Sequence, residues 1–352
     1  MLTDAAAGRL PRKPMSDPVP RRSYAPAVAF VVFNAVAYGV YLAVAGLDQV
    51  LAWSTGGPVP PRAFVIFHIS YILMWISYIR LILTAPGSVP PDHIWTCYDD
   101  NDDEAARFAL TPAEIELMQK IAEPGFYPLT EPLRQRVRQL PFAELKVRRT
   151  GSIRKCTKCV PAHYKPDRTH HCSRTDTCVL VMDHYCTFAH TTIGLRNRKF
   201  FVLFLFYATA TLLAYLTVMS GRVWAAVRNI VDGELAHTDV AVVLVCVVAI
   251  SLAAGLILFL SFHIYIIMQN MTTIEFREKH QSRDQEVRRR SAIANVKFNR
   301  GAWANTTQVL GSVIWLWPLP IHGDDGLIDG LYIDPGRMQA LATPECSVTA
   351  FA

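Results

Sequence analysis

The run VAVVLVCVVAISLAAGLILFLSFHIYIIM, Val240 to Met268, carries one titratable side chain besides Cys246 and Tyr265, namely His263. A bilayer core takes about 20 apolar residues in helix, so this run is long enough to span. Three more segments are of the same kind. Tyr24 to Leu47 is uncharged, Ala63 to Leu83 holds only His68 and Arg80, and Phe200 to Met219 is again uncharged. Across 352 residues, 51% are apolar and only 18% are charged, with mean hydropathy +0.21. Four such runs in a chain of this length argue for an all-α integral membrane protein with four transmembrane helices rather than a large soluble core.

Basic residues orient the spans. Arg9, Arg12, Lys13, Arg21 and Arg22 precede the first. Lys146, Arg148, Arg149, Arg154, Lys155, Arg168, Arg196, Arg198 and Lys199 lie between the second and third. Arg277, Lys279, Arg283 and Arg288 to Arg290 follow the fourth. The loop after the first span has Asp48 and Arg62, and the loop after the third has Arg222, Arg228, Asp232 and Glu234. The positive-inside rule puts both termini and the central segment in the cytosol. The net charge of +6 reads as topology plus attraction to anionic lipid, with no nucleic-acid motif beside it. The first span lacks a small-residue cleavage site and reads as a retained anchor. There is no Gly after Met1 for myristoylation, and Cys346 is too far from the C-terminus for prenylation.

The chain divides accordingly. Residues 1–23 form a Pro- and Arg-rich, disordered cytosolic N-terminus, and 24–84 hold the first two spans. Residues 85–150 form a cytosolic linker with an acidic run, Asp99 to Glu104, that reads as a solvated loop. Within it, Thr111 to Ala122 has helical period, with Thr111 as N-cap and Glu114 three residues on. Residues 151–199 form a cysteine-rich module, 200–268 hold the last two spans, and 269–352 form a cytosolic tail. The tail begins with a charged helical stretch, Glu275 to Arg290, and continues to interfacial Trp303, Trp315, Trp317 and Pro318. No internal repeat is evident. Two sequons, at Asn270 and Asn305, fall on the cytosolic side and are discounted.

The module is too poor in apolar residues to fold on a core of its own, so it needs a metal or a partner surface. Five of the eight cysteines crowd into it: Cys156, Cys159, Cys172, Cys178 and Cys186. In a reducing compartment such a cluster favours metal binding or catalysis over disulfides. Cys156-x-x-Cys159 places two thiolates for one tetrahedral zinc, and His171 and Cys178 are available to close it. Asp183-His184-Tyr185-Cys186 places a thiol two residues from an imidazole, the pairing of a nucleophile with its base. Thioester chemistry on a lipid chain is one of few reactions needing a nucleophilic thiol, a zinc platform and a membrane together.

These residues resemble the cysteine-rich domain of the DHHC protein S-acyltransferases. Arg154-Lys-Cys156-Thr-Lys-Cys159, Lys165-Pro166-Asp167-Arg168, His170-His171-Cys172-Ser173, Asp176-Thr-Cys178, Met182 to Cys186 and Gly194-Leu-Arg-Asn197-Arg-Lys-Phe200 follow that pattern in order. Thr272-Thr273-Ile274-Glu275 matches the family's TTxE motif, and Pro86-Gly87 its short motif after the second span. Asn305 to Gly311, with Trp315 and Pro318, resembles its C-terminal stretch. The DHYC spelling is similar to that of a fungal subgroup.

The resemblance implies a protein-cysteine S-palmitoyltransferase. It would move palmitate or a similar chain from acyl-CoA, through a Cys186 thioester, to membrane-proximal cysteines of cytosolic or membrane proteins. Cys186 is then the nucleophile, His184 its base, and Asp183 the residue that orients His184. Thr272, Thr273, Glu275 and Asn305 form a supporting motif tying the tail to the module. It also implies a first zinc on Cys156, Cys159, His171 and Cys178. Positions for a second zinc are Cys172, Thr175, Tyr185 and Thr192, of which three are unsuited to the ion, so one zinc per chain is expected. The loop between Cys159 and Pro166 is two residues longer than in the family, and Thr187-Phe188 replaces the usual Pro-Trp. His163 and His190 are the candidates to replace a lost ligand, while His170 reads as packed or solvated. The rival reading is a catalytically weak or inactive membrane adaptor with one structural zinc site; intact Asp183, His184, Cys186 and TTxE argue against it. A channel or transporter fits less well, because the spans carry so few ionisable residues.

Overall fold

In the computed structural model, residues 24–42, 62–89, 110–122, 130–140, 145–146, 152–159, 162–234 and 236–321 are described. The N-terminal segment, the end of the first apolar run, the acidic run, Cys97 and Cys346 lie outside them. Helix α1 spans Ala25–Tyr41 and α2 spans Arg62–Leu83. Two short helices, α3 (Pro112–Ala122) and α4 (Glu131–Gln139), belong to the linker. Four two-stranded antiparallel hairpins follow: β1–β2 (Leu145–Lys146, Ser152–Ile153), β3–β4 (Lys155–Cys156, His163–Tyr164), β5–β6 (His170–Cys172, Thr177–Val179) and β7–β8 (His184–Cys186, Thr191–Ile193). Then come α5 (Arg198–Val231), α6 (His237–Met268), α7 (Thr273–Gln281), α8 (Gln285–Phe298) and α9 (Ala302–Leu310), with a 3-10 turn at Ile314–Leu316.

Among the described residues, three helices, α2, α5 and α6, are long and apolar enough to cross a membrane; the described part of the first apolar run, α1, is shorter. Their outward faces carry bare aliphatic side chains, such as Ile72 at 56%, Leu258 at 73% and Leu244 at 61% exposure. A surface of that kind suits lipid rather than water. Inside, α5 packs against both α2 and α6. Thr211 of α5 donates to Ser70 of α2 across that interface at 3.1 Å. Helix α1 leans on the group through rings: Phe30 lies 5.0 Å from Tyr78 and 5.6 Å from Phe204, and Tyr38 stacks on Tyr71 at 4.7 Å.

The third apolar helix is much longer than its uncharged core. It starts at Arg198, with buried Asn197 in the N-cap position; the Asn197 side-chain oxygen accepts from the Gly194 amide at 2.9 Å and not from the helix. The tail stretch expected as one helix from Glu275 to Arg290 is two. Helix α7 stops at Gln281 and α8 starts at Gln285, with the Ser282 hydroxyl accepting from the Asp284 amide between them. Serine and aspartate compete with the helix for backbone bonds, which is why the break falls there. The capping box at Thr111 is as expected: the Thr111 amide donates to Glu114 at 2.8 Å and the Glu114 amide to the Thr111 hydroxyl at 3.3 Å.

The segment after α2 fastens the hairpins to the helices. The Leu180 amide donates to the Gly87 carbonyl at 3.0 Å, and the Arg196 amide to the Pro86 carbonyl at 3.1 Å. Gly194 permits this closeness, since a Cβ there would lie 2.6 Å from the Val179 side chain and 2.9 Å from the Pro86 oxygen.

Candidate active site

The last two hairpins are built alike, which the sequence alone did not reveal. In each, a strand ending in cysteine enters a four-residue turn whose last residue has left-handed backbone, Asp176 (φ 50°) and His190 (φ 51°). In β5–β6 the register pairs His171 with Cys178 and Cys172 with Thr177; in β7–β8 it pairs Tyr185 with Thr192 and Cys186 with Thr191. Cys186 therefore occupies in the second hairpin the place that Cys172 occupies in the first. Tyr185 and Thr192 stand where the first hairpin has His171 and Cys178.

The expected first zinc set comes together. Cys156 and Cys159 sulfurs are 3.7 Å apart, and Cys159 and Cys178 sulfurs 3.9 Å. His171 Nδ1 lies 3.3 Å from Cys159 Sγ and 3.7 Å from Cys156 Sγ. These separations match the edges of a tetrahedron with metal–ligand bonds of about 2.0–2.3 Å. Burial, then the neighbouring Cys156, raises the thiols of Cys159 and Cys178. A divalent cation removes that repulsion, so the donor set fits zinc. The other nitrogen of His171 reaches Asp176 at 3.4 Å, an outer carboxylate of the sort that orients a metal-bound imidazole. The four side chains that all lie within 4.8 Å of one another are, however, Cys156, Cys159, Cys178 and His163, which faces Cys156 across β3–β4 with its nitrogens buried and unpartnered, so His163 stands beside His171 as a candidate fourth ligand. It is thus near the intact site, not the lost one.

The other set holds no comparable group. Thr192 donates its hydroxyl to Cys172 Sγ at 3.2 Å, and the Tyr185 hydroxyl meets His190 Nδ1 at 3.3 Å. His190 in turn packs on Tyr24 at 4.0 Å between centroids. Among the described residues, only one group of metal-ligating side chains is close enough to hold an ion. His170 is half-buried, with its Nε2 enclosed and unpartnered.

Asp183, His184 and Cys186 lie where this module meets the helices. His184 Nδ1 bonds Asp183 Oδ2 at 2.7 Å, which leaves Nε2 as the nitrogen available to the Cys186 thiol. Asp183 is 1% exposed yet fully served: the Thr273 amide donates to Oδ1 at 2.9 Å, the Thr273 hydroxyl to Oδ2 at 2.7 Å, and Arg198 lies 3.4 Å from Oδ1. Burial opposes its charge, but Arg198 and then His184 outweigh it and hold the carboxyl well below its ordinary range. Burial likewise opposes charge on His184, but the bonds to Asp183 and Cys186 win and raise its pKa from 6.5 to about 9. Phe201 and His263 flank the His184 ring at 5.1 and 5.9 Å.

Cys186 itself is 9% exposed and packs into the main apolar cluster with Met74, Tyr78, Phe201, Phe204 and Ile267. Tyr78 donates to the Phe188 carbonyl at 2.8 Å, pinning the turn after the thiol to α2. A thiol at such a seam faces polar groups on one side and the helix interior on the other.

The TTxE residues do two jobs at once. Thr272 caps α7, with Glu275 returning the bond to the Thr272 amide at 2.7 Å. Thr273 holds Asp183, and Glu275 forms a buried pair with Arg168 at 2.6 and 3.0 Å. Arg168 also donates to the Asn270 side chain at 2.9 Å and carbonyl at 3.0 Å. Asn305 donates to the Met268 carbonyl at 2.7 Å and accepts from the Arg300 amide, locking α9 under α6. Arg198 and the Asp167–Lys297 pair at 3.3 Å escaped the reading of the sequence as site supports. Asp167 and Arg198 lie within the quoted motifs, whereas Lys297 lies in none of them.

Comparison with known proteins agrees with this geometry. The model for the DHHC palmitoyltransferase family matches residues 149–280. The chain is similar to probable protein S-acyltransferase 13 of Arabidopsis thaliana, 30% identical over 84% of this chain and 80% of that protein. It is also similar to palmitoyltransferase ZDHHC20-A of Danio rerio, 32% identical over 78% and 68%. Palmitoyltransferase PFA3 of Yarrowia lipolytica is 34% identical over 49% and 46%. With the cysteine-rich hairpins, the buried Asp–His–Cys array and relatives aligned over most of its length, the chain belongs to the DHHC palmitoyltransferase family.

Proposed function

We propose that this protein is a protein-cysteine S-palmitoyltransferase in which Cys186 carries the acyl group, His184 handles its proton and Asp183 orients His184. The observation that supports it most is the unbroken chain of contacts from Thr273 to Asp183 to His184 to Cys186, at the edge of an apolar helix interior. The Cys186 thiolate attacks the thioester carbon of a fatty acyl-CoA. A C–S bond to Cys186 forms, the C–S bond to CoA breaks, and the proton held by His184 passes to the departing CoA sulfur. A substrate cysteine then gives its proton to His184 and attacks the acyl-enzyme, releasing Cys186. Each step exchanges one thioester for another, so no external energy source is required. Holding Asp183 charged favours the His184 imidazolium that accompanies the thiolate.

The acyl tail would enter among Phe30, Tyr78, Phe204, Leu256 and Leu260, where each buried CH₂ contributes about 0.8 kcal/mol. We read the apolar run Tyr24 to Leu47, to which α1 belongs, as the fourth span, with both termini and the 151–199 module cytosolic as the basic residues require. The domain boundaries given above follow from that topology. One zinc on Cys156, Cys159, His171 and Cys178 would be structural, holding the hairpins in register; it takes no part in the thioester exchange. The partners implied are fatty acyl-CoA, the bilayer, and proteins with membrane-proximal cysteines.

The test is covalent labelling. Purified protein given labelled palmitoyl-CoA should acquire a hydroxylamine-sensitive acyl group, and Cys186→Ser should lose it while Cys172→Ser keeps it. Full labelling of Cys186→Ser would overturn the assignment, and no labelling of the wild type would favour the adaptor.

A further inference from the structure

A second, separate concavity lies away from the thiol. It has a volume of about 580 Å³ and sits between α4 of the linker and the tail helices α8 and α9. Arg134, Arg138 and Arg300 line it with Asn295, Asn299 and Gly301, and no carboxylate is among the lining groups. Glu131 stands nearest by, 3.9 Å from Arg134 within the same helix. Arg138 is further held by the Val296 carbonyl, to which its Nε donates at 3.4 Å.

Three arginines lining one hollow give it a positive potential that favours an anion. Arginine's planar fork matches phosphate oxygens in pairs. Gly301 lies at the start of α9, with its amide already donated to the Asn299 side chain at 3.0 Å, so the arginines and not the helix end would carry the anion. The arrangement is therefore suited to a phosphate-bearing anion.

The height of the hollow selects the source. Asn295 donates to the Gln269 carbonyl at 2.9 Å and Asn299 to the Gln269 side chain at 3.5 Å. Gln269 is the C-cap of α6, the first residue past a spanning helix. The floor of the hollow is thus level with the end of that span. Trp303, two residues after Gly301, is 61% exposed, and Trp315 is 87% exposed. Exposed tryptophans beside a span end mark the headgroup layer.

We propose that this cleft binds the phosphorylated headgroup of an acidic lipid of the cytosolic leaflet and so docks α4 and the tail helices on the membrane surface. The lipid assignment rests on the topology proposed above; binding of a phosphate-bearing anion does not. The site would make the protein responsive to the acidic-lipid content of its membrane.

The experiment uses the full chain in phosphatidylcholine nanodiscs. Three probes are compared by thermal shift and direct titration: dioctanoyl phosphatidylinositol monophosphate, desulfo-CoA and inorganic phosphate. The lipid should bind most tightly and less tightly in high salt. Arg138→Gln with Arg300→Gln should weaken it by about tenfold or more, while the double lysine variant should fall between wild type and the glutamine variant, since charge is kept but the paired fork is lost. Both arginines are at the protein surface, and an unchanged unfolding midpoint without ligand will show that the variants are folded. Equal binding by wild type and the glutamine variant, or no binding by wild type, overturns the proposal. Tighter, arginine-dependent binding of desulfo-CoA overturns the lipid assignment in favour of a soluble phosphate. Lipid binding that persists while Cys186 fails to acylate would refute the proposed function and leave this inference standing.

Discussion

Replacing Asp183 by Asn is the sharpest probe of the site, because it changes charge and hydrogen bonding with little change in shape. The carboxylate accepts from His184 Nδ1 and from both donors of Thr273, and faces Arg198. An asparagine has one acceptor oxygen, so its amide must turn toward at least one of these groups. If it turns toward His184, Nδ1 must accept, the ring proton moves to Nε2, and the face toward Cys186 can no longer take up a proton. The wild-type environment raises His184 from 6.5 to about 9, against the effect of burial. At about 1.36 kcal/mol per pKa unit, that corresponds to roughly 3 kcal/mol of preference for the imidazolium, with Asp183 its leading source. Losing it should slow acyl-enzyme formation at pH 7 by about two to three orders of magnitude. The assay is the pre-steady-state rate of hydroxylamine-sensitive labelling from palmitoyl-CoA, measured from pH 6 to pH 10. The deficit should narrow at high pH, where deprotonation depends less on a side-chain base. Zinc content and unfolding midpoint serve as controls for folding. A folded, zinc-loaded Asp183→Asn protein within about fivefold of wild type at pH 7 would refute the reasoning, since the loss worked above is on the order of a hundredfold.

Other outcomes follow from the same contacts. Elemental analysis should find one zinc per chain, retained in Cys172→Ala and lost with hairpin structure in Cys159→Ala; two tightly bound ions would mean that other side chains have rebuilt the second site. Glu275→Ala leaves Arg168 buried beside Asn270 without its counter-charge, which should cost about 3–5 kcal/mol and lower the unfolding midpoint, and Glu275→Gln should cost less; an unchanged midpoint in the alanine variant would contradict the buried pair. Thr273→Val keeps the amide bond to Asp183 but removes the hydroxyl bond, so labelling should slow by roughly tenfold, the effect of one hydrogen bond to a charged group. His184 also links stability to pH. Its folded pKa lies above its ordinary 6.5, so its contribution is complete below about 6.5 and is lost as pH rises through about 9. Thermal midpoints recorded over that window should fall more in wild type than in His184→Ala.

What a residue's near neighbours decide was legible in the sequence. The apolar runs at Ala63–Leu83 and Val240–Met268 predict helices, and α2 and α6 follow them within a few residues, because helix length and bilayer thickness are set by local composition. The Thr111 and Thr272 caps were legible for the same reason: a capping box needs only residues three apart. The pairing of His184 with Cys186 is two residues of one strand, and alternate residues of a strand share a face. Tertiary structure alone decided which distant group serves each buried charge. Asp183 finds Thr273, and Arg168 finds Glu275, across separations of 90 and 107 residues. A buried carboxylate or guanidinium must be matched by something, but the sequence does not say what chain packing brings within 3 Å. The likeness of the last two hairpins was hidden similarly. It resides in register, with Cys186 opposite Thr191 as Cys172 is opposite Thr177, and the side chains that would have marked it as a repeat, Tyr185 and Thr192, are unlike His171 and Cys178. Backbone pairing persists when side chains diverge, because its hydrogen bonds belong to the peptide groups that every residue carries.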